Sequence, residues 1–184
     1  MRAALSAGAR TIQVRDKSAT DRGLLDLTRR VVELAEPSAA HVLVDDRVDI
    51  AMAAGACGAH LGADDLPLAV ARLLGGGLLL GGTAREAASA VAAEADGADY
   101  VGVGPAFSTT TKSGLPDAIG VPGVQSVARA TALPVIAIGG ITPGRVPALL
   151  AAGAHGIAVV TAISQAADPA AATAAFLRSL PAPT

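Results

Sequence analysis

The chain has 184 residues, of which 52% are hydrophobic and only 2% aromatic, and its formal net charge is −2. This length is enough for one domain with a substantial core of alanine, valine and leucine. The charge gives no general attraction to nucleic acid, and no apolar run is long enough to cross a membrane. The single cysteine, Cys57, excludes an internal disulfide and favours a reducing compartment. We therefore expect one cytoplasmic domain over residues 1–184, without nucleic-acid or membrane partners.

Short β-rich runs alternate along the chain with alanine- and leucine-rich segments at helical spacing. The predicted strands are residues 11–15, 41–45, 58–61, 78–81, 100–103, 135–138 and 156–160. The predicted helices are residues 20–36, 47–55, 66–74, 84–96, 120–131, 143–152 and 168–180. Because strand–helix–strand units form right-handed crossovers, this order predicts a parallel sheet covered by helices.

A repeated phrase marks four helix ends. Each phrase combines alanine with a glycine that can adopt the left-handed conformation, and a strand begins a few residues later; the glycines are Gly8, Gly55, Gly97 and Gly153. Such a repeated βα unit indicates a TIM (β/α)8 barrel. Only seven strands are predicted, however, and the chain opens inside the helix that leads to the first of them. We therefore expect an α/β barrel that lacks its first strand, with a doubly wound open sheet as the alternative.

Polar residues are concentrated where the predicted strands end, which is the edge that carries active sites in parallel sheets. The first group is Gln13, Arg15 and Lys17. Because side chains alternate along a strand, these three share one face, and Val14 takes the other face beneath the helices. Since unpaired buried charge is costly, packing does not explain such a row, which indicates a functional site. An exposed, solvated strand end is the alternative.

Two acidic pairs follow neighbouring predicted strands. Asp45 and Asp46 end the second strand, and Asp64 and Asp65 come just after the third. Carboxylate oxygens at adjacent strand ends suit Mg²⁺, which keeps several waters and bridges to substrate phosphate. Helix capping is the alternative for the second pair, because Pro67 suits a first helical turn. Capping explains the first pair less well.

Three later loops have the composition of a phosphate site. The fifth strand runs into a loop rich in hydroxyls with one ammonium group, formed by Ser108, Thr109, Thr110, Thr111 and Lys112. Gly139 and Gly140 follow the sixth strand, and Val160 and Thr161 follow the seventh, where barrels often bind phosphate through backbone amides. A flexible polar loop and ordinary tight turns are the alternatives. His60, near the end of the third strand, is predicted to be a packed residue rather than a ligand or a base.

Five phrases occur in one order along the chain: QVRDK, VDDRVDIAMAAGACGAHLGADDLP, GADYVGVGPAFSTTTK, PVIAIGGIT and GIAVVTAI. Together they resemble the thiamine-phosphate synthase family, and they cover nearly the whole chain from Thr11. Members of that family join a hydroxymethylpyrimidine diphosphate to a thiazole phosphate, which gives thiamine phosphate and pyrophosphate. The resemblance therefore implies a transferase with these two small-molecule partners and Mg²⁺ as cofactor. It is also compatible with a homo-oligomer.

The resemblance implies a role for each matching residue. Those that would hold the diphosphate are Gln13, Arg15, Lys17, Lys112 and Thr83, the last in place of a family serine. Those that would act catalytically, by stabilising charge on the leaving group, are Arg15, Lys17 and Lys112. Those that would bind Mg²⁺ are Asp46 and Asp65. Those that would hold the thiazole phosphate are Thr109, Thr110, Thr111, Gly140, Val160 and Thr161.

Two positions depart from the family pattern. Asp45 stands where the family usually has an asparagine in the substrate site, and its carboxylate would either repel the diphosphate or draw Mg²⁺ closer. The phrase GGTAREA replaces a family serine-x-histidine phrase, so that Arg85 takes the place of a histidine associated with a related thiazole tautomerase. That tautomerase and a non-catalytic phosphate-binding barrel are the alternative functions. Arg85 and the retained diphosphate residues favour the synthase.

Overall fold

The computed structural model describes residues 1–109, 111, 114 and 116–181. Within those ranges it has seven strands: β1 (Thr11–Val14), β2 (His41–Asp45), β3 (Gly58–Leu61), β4 (Leu79–Ala84), β5 (Tyr100–Val103), β6 (Val135–Ile138) and β7 (Gly156–Ala158). It also has nine α-helices: α1 (Arg2–Ser6), α2 (Asp21–Ala35), α3 (Val48–Ala54), α4 (Leu68–Leu74), α5 (Ala87–Ala95), α6 (Gly120–Ala130), α7 (Val146–Ala151), α8 (Thr161–Ser164) and α9 (Pro169–Arg178). Two short 3₁₀ helices, Glu36–Ser38 and Pro143–Arg145, complete the set.

The strands form one sheet in the order of the chain, from β1 to β7, and every neighbouring pair is parallel. A doubly wound sheet reverses its strand order at a switch point, and this sheet does not, so that alternative is wrong. Sequential parallel strands joined by helices are the arrangement of a (β/α) barrel with one strand fewer than eight, as predicted. All strands consequently end at one edge, where the registers pair Asp45 with His60 and Thr83 with Gly102.

Several predicted element ends were wrong. β4 continues to Ala84 instead of ending at Gly81, and α5 therefore begins at Ala87. The glycines in this stretch read as a turn in the sequence, but Gly81 pairs with Tyr100 inside the sheet. β1 and β7 each end earlier than predicted. The short helix α8 was not predicted because it is a single turn.

Alternation along the strands separates a helix-covered face from an inner face. On the covered face, apolar side chains that are at most 2% exposed pack under the helices, namely Val14, Val44, Ala59, Leu80, Val101 and Ala137. These residues belong to two clusters, one under α2, α3 and α4 and the other under α5, α6, α7 and α9. The partly buried Leu68 packs against both clusters. Alanine and valine thus let the helices approach the sheet closely, as the composition predicts.

The four glycines predicted to end helices have positive φ values between 71° and 103°, which confirms that prediction: Gly8, Gly55, Gly97 and Gly153. The longest described helix, α2, is preceded by Thr20, whose hydroxyl accepts from the Gly23 amide at 3.2 Å and so caps the first turn. No helix in the described part of the chain combines the length and the apolar character needed to cross a membrane.

We predict that Gly81→Ala destabilises the protein by about 1–3 kcal/mol, because the added methyl group would overlap the Tyr100 ring inside the barrel. The measurement is the free energy of unfolding in urea. Gly77→Ala is the matched control, since a Cβ at Gly77 meets no atom within 4 Å, and it should change stability by less than about 0.5 kcal/mol. Equal stability of the two variants would contradict the packing described.

Candidate active site

The ends of β1 and β2 bring the first group of predicted site residues together. The Asp45 carboxylate accepts a hydrogen bond from Gln13 Nε2 at 2.7 Å and pairs with Arg15 Nε at 2.9 Å. Lys17 Nζ lies 3.7 Å from the same carboxylate and also contacts Asp46 Oδ2. The Asp45 side chain is 12% exposed, whereas those of Arg15 and Lys17 are 47% and 55% exposed. Three donors therefore reach inward from solvent to one carboxylate.

Asp46 has a backbone φ of 63°, in the left-handed region that residues other than glycine rarely adopt. Its amide donates to the His60 carbonyl at 2.8 Å, so that the contact between β2 and β3 continues past the end of β2. In a regular strand Asp45 and Asp46 would point to opposite faces. The left-handed residue instead lets both carboxylates reach Lys17. Such a conformation costs about 1–3 kcal/mol and is typical of functional sites.

Arg47, the next residue, has a structural role. Its guanidinium forms two hydrogen bonds to Asp49, at 2.8 and 2.6 Å, and one to Asp21 at 2.6 Å. These bonds, with Asp49 contributing most, raise the pKa of Arg47 above its ordinary value. The charge of Arg47 therefore ties the first turns of α2 and α3 together and is not directed to a ligand.

Asp65 closes the loop after β3. Its Oδ2 accepts from the Gly62 amide at 2.7 Å, and the residue before α4 is Pro67, without a side-chain cap. The capping alternative for Asp65 is therefore wrong. The neighbouring Asp64 is exposed, whereas Asp65 is half-buried and lines a cleft of about 250 Å³ that Thr83 also lines. The structure thus places the Asp65 carboxylate beside the ends of β3 and β4.

The carboxylates of Asp46 and Asp65 follow adjacent strands, which is the arrangement predicted for Mg²⁺. In the part of the chain that the structure describes, no three histidine, cysteine, aspartate or glutamate residues form a group that could hold a metal ion. Mg²⁺ usually takes one or two protein carboxylates and completes its shell with water and substrate phosphate. The oxygen donors present fit such a substrate-dependent site, and they do not form a closed metal cage.

Inside the barrel, the His60 ring lies between two hydroxyl groups. His60 Nδ1 is 3.1 Å from the Tyr100 hydroxyl, and Nε2 is 3.0 Å from Thr83 Oγ1. Burial lowers the pKa of His60, while the charges of Asp45 and Asp65 oppose this shift. His60 was predicted to be a packed residue rather than a ligand or a base, and its partly buried ring agrees with that prediction, which did not include the two polar contacts. The sequence signal that could have revealed them is the pair of inward glycines, Gly81 and Gly102, on β4 and β5.

The threonine loop after β5 meets the loop after β7. Thr111 Oγ1 lies 3.1 Å from Thr109 Oγ1 and 3.2 Å from Thr161 Oγ1, and its amide donates to Thr109 Oγ1 at 3.3 Å. Hydroxyls from segments 50 residues apart are thus in contact. The half-exposed Val160 precedes Thr161 at the start of α8. Thr110 and Lys112, which the resemblance assigns to the two substrates, lie outside the described residues.

The glycine pair after β6 is held against the β5 loop. Gly140 has a φ of 60°, and a Cβ there would overlap the Ser108 carbonyl. Phe107 donates its amide to the Gly139 carbonyl at 3.0 Å. Arg145 donates to the Gly140 carbonyl at 2.6 Å and stacks over the Phe107 ring, with its guanidinium carbon 4.3 Å from the ring centroid. The carbonyl of Gly140 is therefore occupied, and this loop has a fixed position next to the threonines.

Arg85, in the departing GGTAREA phrase, ties the end of β4 to the loop that precedes α6. Its Nη2 donates to the Asp117 carbonyl at 2.8 Å. Its Nη1 is buried and has no hydrogen-bond partner among the described residues. Arg85 thus contributes a positive charge at the rim of the barrel, where the family pattern has a histidine.

Comparison with known proteins decides the family. The family model described as thiamine monophosphate synthase matches residues 1–163. The chain belongs to this family. A thiamine-phosphate synthase of Salinispora tropica is 56% identical over 185 residues, covering 98% of this chain and 88% of the relative. The thiamine-phosphate synthase of Chloroflexus aurantiacus is 42% identical over 178 residues, which are 97% of this chain and 82% of the relative.

Solved structures agree with this assignment to the thiamine monophosphate synthase family. A thiamine phosphate pyrophosphorylase from Pyrococcus furiosus superposes with a TM-score of 0.90 at 35% identity, covering 97% of this chain and 86% of that chain. A 3-hexulose-6-phosphate synthase superposes with a TM-score of 0.73 at 22% identity, covering 97% of this chain and 94% of that chain. The second likeness concerns the fold alone.

Asp45 stands where the family usually has an asparagine, and the geometry predicts how this difference affects pyrophosphate binding. Asp45→Asn removes the negative charge that Arg15 and Lys17 now face and leaves the size of the side chain unchanged. We predict that the variant binds pyrophosphate, in the presence of Mg²⁺, about fivefold more tightly, as expected for partly exposed ion pairs worth about 1 kcal/mol. The measurement is isothermal titration calorimetry at low ionic strength.

The matched control for this experiment is Asp49→Asn, which removes a paired carboxylate that contacts Arg47 instead. It should leave the affinity for pyrophosphate unchanged. Weaker binding by Asp45→Asn would contradict the prediction, and it would favour the view that the extra carboxylate helps to bind Mg²⁺.

Proposed function

We propose that the protein is a thiamine-phosphate synthase, which joins a hydroxymethylpyrimidine diphosphate to a thiazole phosphate and releases pyrophosphate. The observation that carries this proposal is the meeting of Arg15 and Lys17 with Asp46 at the strand edge, within a chain of this family. The relatives with the highest identity quoted above carry the same activity in their names. The geometry supports the role of this edge as the diphosphate site.

The reaction requires charge separation. The bond between the methylene carbon of the pyrimidine and the diphosphate oxygen breaks first, and its electron pair leaves with the oxygen. The thiazole nitrogen then donates its lone pair to the methylene carbon and forms the new carbon–nitrogen bond. Since this sequence transfers no proton, it needs no general base, and this agrees with the packed, hydrogen-bonded state of His60.

The diphosphate residues would stabilise the charge that gathers on the leaving group. Arg15 and Lys17 would exchange Asp45 and Asp46 for phosphate oxygens, and Gln13 would donate its amide hydrogens. Fixed positive groups of this kind are worth about 100- to 1000-fold in rate each. Mg²⁺, bound through Asp46 and Asp65, would neutralise part of the same charge.

The remaining assignments complete the two substrate sites. By the resemblance, Lys112 and Thr83 would also hold the diphosphate. The thiazole phosphate would be bound by hydroxyls and backbone amides of the later loops, namely Thr109, Thr110, Thr111, Gly140, Val160 and Thr161. The contact between Thr111 and Thr161 supports this grouping, because it brings hydroxyls from two of these loops to one place.

A thiazole tautomerase is less well supported. Proton transfer by that enzyme is associated with a histidine at the position of Arg85, and a guanidinium does not lose its proton at neutral pH.

A biosynthetic reaction on small molecules and the single free Cys57 support a cytoplasmic location. The proposal is the same whether the protein acts as a monomer or as a homo-oligomer.

A coupling assay tests the proposed activity. With both substrates and Mg²⁺, we expect thiamine phosphate and pyrophosphate in equal amounts, and neither product once a chelator has removed Mg²⁺. The measurements are chromatography of thiamine phosphate and enzymatic detection of pyrophosphate. Pyrophosphate binding without coupling would identify a non-catalytic barrel, and isomerisation of the thiazole phosphate without coupling would identify a tautomerase.

The neighbouring aspartates Asp64 and Asp65 provide a matched pair for the metal assignment. Asp65→Asn should raise the Mg²⁺ concentration needed for half-maximal rate at least tenfold, because it removes one of two proposed carboxylate ligands. Asp64→Asn changes an exposed carboxylate that has no assigned role, and its Mg²⁺ dependence should match the wild type. The measurement is the initial coupling rate over a Mg²⁺ titration. Equal Mg²⁺ dependence in both variants would remove Asp65 from the metal site.

A further inference from the structure

A polar chain that the family roles above do not use crosses the barrel interior from β5 to β4. The Tyr100 hydroxyl lies 3.1 Å from His60 Nδ1, and His60 Nε2 lies 3.0 Å from Thr83 Oγ1. Tyr100 and His60 are half-buried, whereas Thr83 is exposed at the strand edge. The chain therefore leads from the interior to the hydroxyl assigned to the diphosphate.

Glycines on the inner face make room for this chain. A Cβ at Gly81 would overlap the Tyr100 ring, and a Cβ at Gly102 would come within 2.8 Å of His60 Cε1. The two rings, whose centroids are 5.6 Å apart, thus occupy space that any other residue at these positions would fill. A buried polar arrangement that is closely packed has few alternatives, and its hydrogen-bond directions can be assigned from its donors and acceptors.

The hydrogen bond between the Tyr100 hydroxyl and His60 is the first whose direction can be assigned. Burial raises the pKa of Tyr100 far above the ordinary value, so the hydroxyl keeps its proton. Among the described residues, His60 Nδ1 is the one hydrogen-bond partner of this hydroxyl. Donation from Tyr100 to Nδ1 gives the half-buried hydroxyl hydrogen an acceptor, whereas the opposite direction would leave it without one among those residues. A neutral His60 ring carries a single N–H, so its two nitrogens take opposite roles toward their two hydroxyl partners. With Nδ1 accepting, that hydrogen is on Nε2 and is donated to Thr83 Oγ1.

The tautomer of His60 determines where the hydroxyl hydrogen of Thr83 points. If its oxygen accepts from His60, the hydroxyl hydrogen of Thr83 points away from the ring and is available to a partner at the exposed strand edge. The opposite tautomer would turn that hydrogen inward, to Nε2, and would present lone pairs to an incoming anion. One direction helps to bind a phosphate oxygen and the other repels it.

We propose that Tyr100 and His60 are positioning residues, which together fix the hydroxyl hydrogen of Thr83 so that it is donated to the diphosphate. This inference rests on the proposed function for the identity of the anion. In this proposal Tyr100 and His60 act through Thr83 and need no contact of their own with the diphosphate. Their effect passes through one hydroxyl group and is confined to the diphosphate half of the site.

Nuclear magnetic resonance of the histidine ring nitrogens in the wild-type protein tests the hydrogen-bond directions. The His60 signals are assigned by their loss in His60→Gln. We expect a neutral ring with its hydrogen on Nε2. A hydrogen on Nδ1 would overturn the proposal, and so would a ring protonated on both nitrogens at neutral pH.

Pyrophosphate binding with Mg²⁺ tests the consequence. His60→Leu removes the donor to Thr83 and should weaken binding about tenfold, the effect of one misdirected hydrogen bond to a charged group. His60→Gln, whose amide N–H can take the place of Nε2–H, should restore most of that loss. His41→Gln is the matched control, because His41 lies at the opposite end of β2, and it should bind like the wild type.

A double-mutant cycle separates positioning from general damage to the fold. Thr83→Val should weaken pyrophosphate binding, and His60→Leu should add no further loss in that background. Losses that multiply in the double variant, or equal losses in His60→Leu and His60→Gln, would overturn the proposal. The KM for the thiazole phosphate should stay unchanged in all of these variants.

These results are independent of the coupling reaction. If the wild type forms no thiamine phosphate but shows the expected tautomer and the expected cycle, the proposed function fails and the positioning role stands. If coupling is observed and the cycle shows no interaction between His60 and Thr83, the function stands and the positioning role fails.

Discussion

Along each strand of this sheet, one side chain points outward beneath the helices and the next points inward. The two faces differ in the residues that they accept. Outward positions such as Val44 and Val101 are small, apolar and fully buried, because the helices pack directly on them. Inward positions include the apolar Leu43, but those nearer the strand ends, such as Gln13, Asp45 and His60, are polar, so each must find a partner across the barrel or reach the open edge. The site consists of the polar side chains that satisfy this second requirement.

Opposite charges at the strand edge stabilise one another. Arg15 and Lys17 would repel each other if the edge contained only cations, and Asp45 and Asp46 would do the same if it contained only carboxylates. Interleaving the two signs keeps the edge nearly neutral without a ligand. In the proposed function, a diphosphate accompanied by Mg²⁺ would then enter with little change in net charge. The left-handed Asp46 is the local backbone feature that makes this interleaving possible.

The fold class could be predicted from the sequence because the patterns that indicate it are local. Strand–helix alternation and the helix-ending glycines, for example Gly55 and Gly153, each depend on a few adjacent residues. The end of β4 could not be found in this way, because Gly81 and Gly82 resemble a turn until the Tyr100 ring that requires Gly81 is known to lie across the sheet. Long-range packing decided that boundary.

The candidate site also contains some residues that local sequence patterns predict and others that only long-range contacts reveal. Strand periodicity alone placed Gln13, Arg15 and Lys17 on one face, and their convergence needed only the pairing of β1 with β2. By contrast, nothing within the third strand indicates that His60 bridges Tyr100 and Thr83, since its two partners are 40 and 23 residues away. The function of such a residue becomes visible only after the strands are ordered and their inner positions compared.

The carboxylate of Asp45 bears on catalysis through the product as well as the substrate. If Arg15 and Lys17 hold the diphosphate as proposed, the pyrimidine diphosphate and pyrophosphate present the same anionic group to them, and a competing carboxylate would weaken both complexes by a similar factor. Interactions shared by the ground state and the product do not lower the barrier of the chemical step. They do retain pyrophosphate after the carbon–oxygen bond has broken, and slow product release limits many enzymes. In the proposed reaction, an internal anion that takes back the two cations would therefore raise KM for the diphosphate substrate and speed the departure of pyrophosphate. The asparagine usual in this family would give tighter binding and slower release.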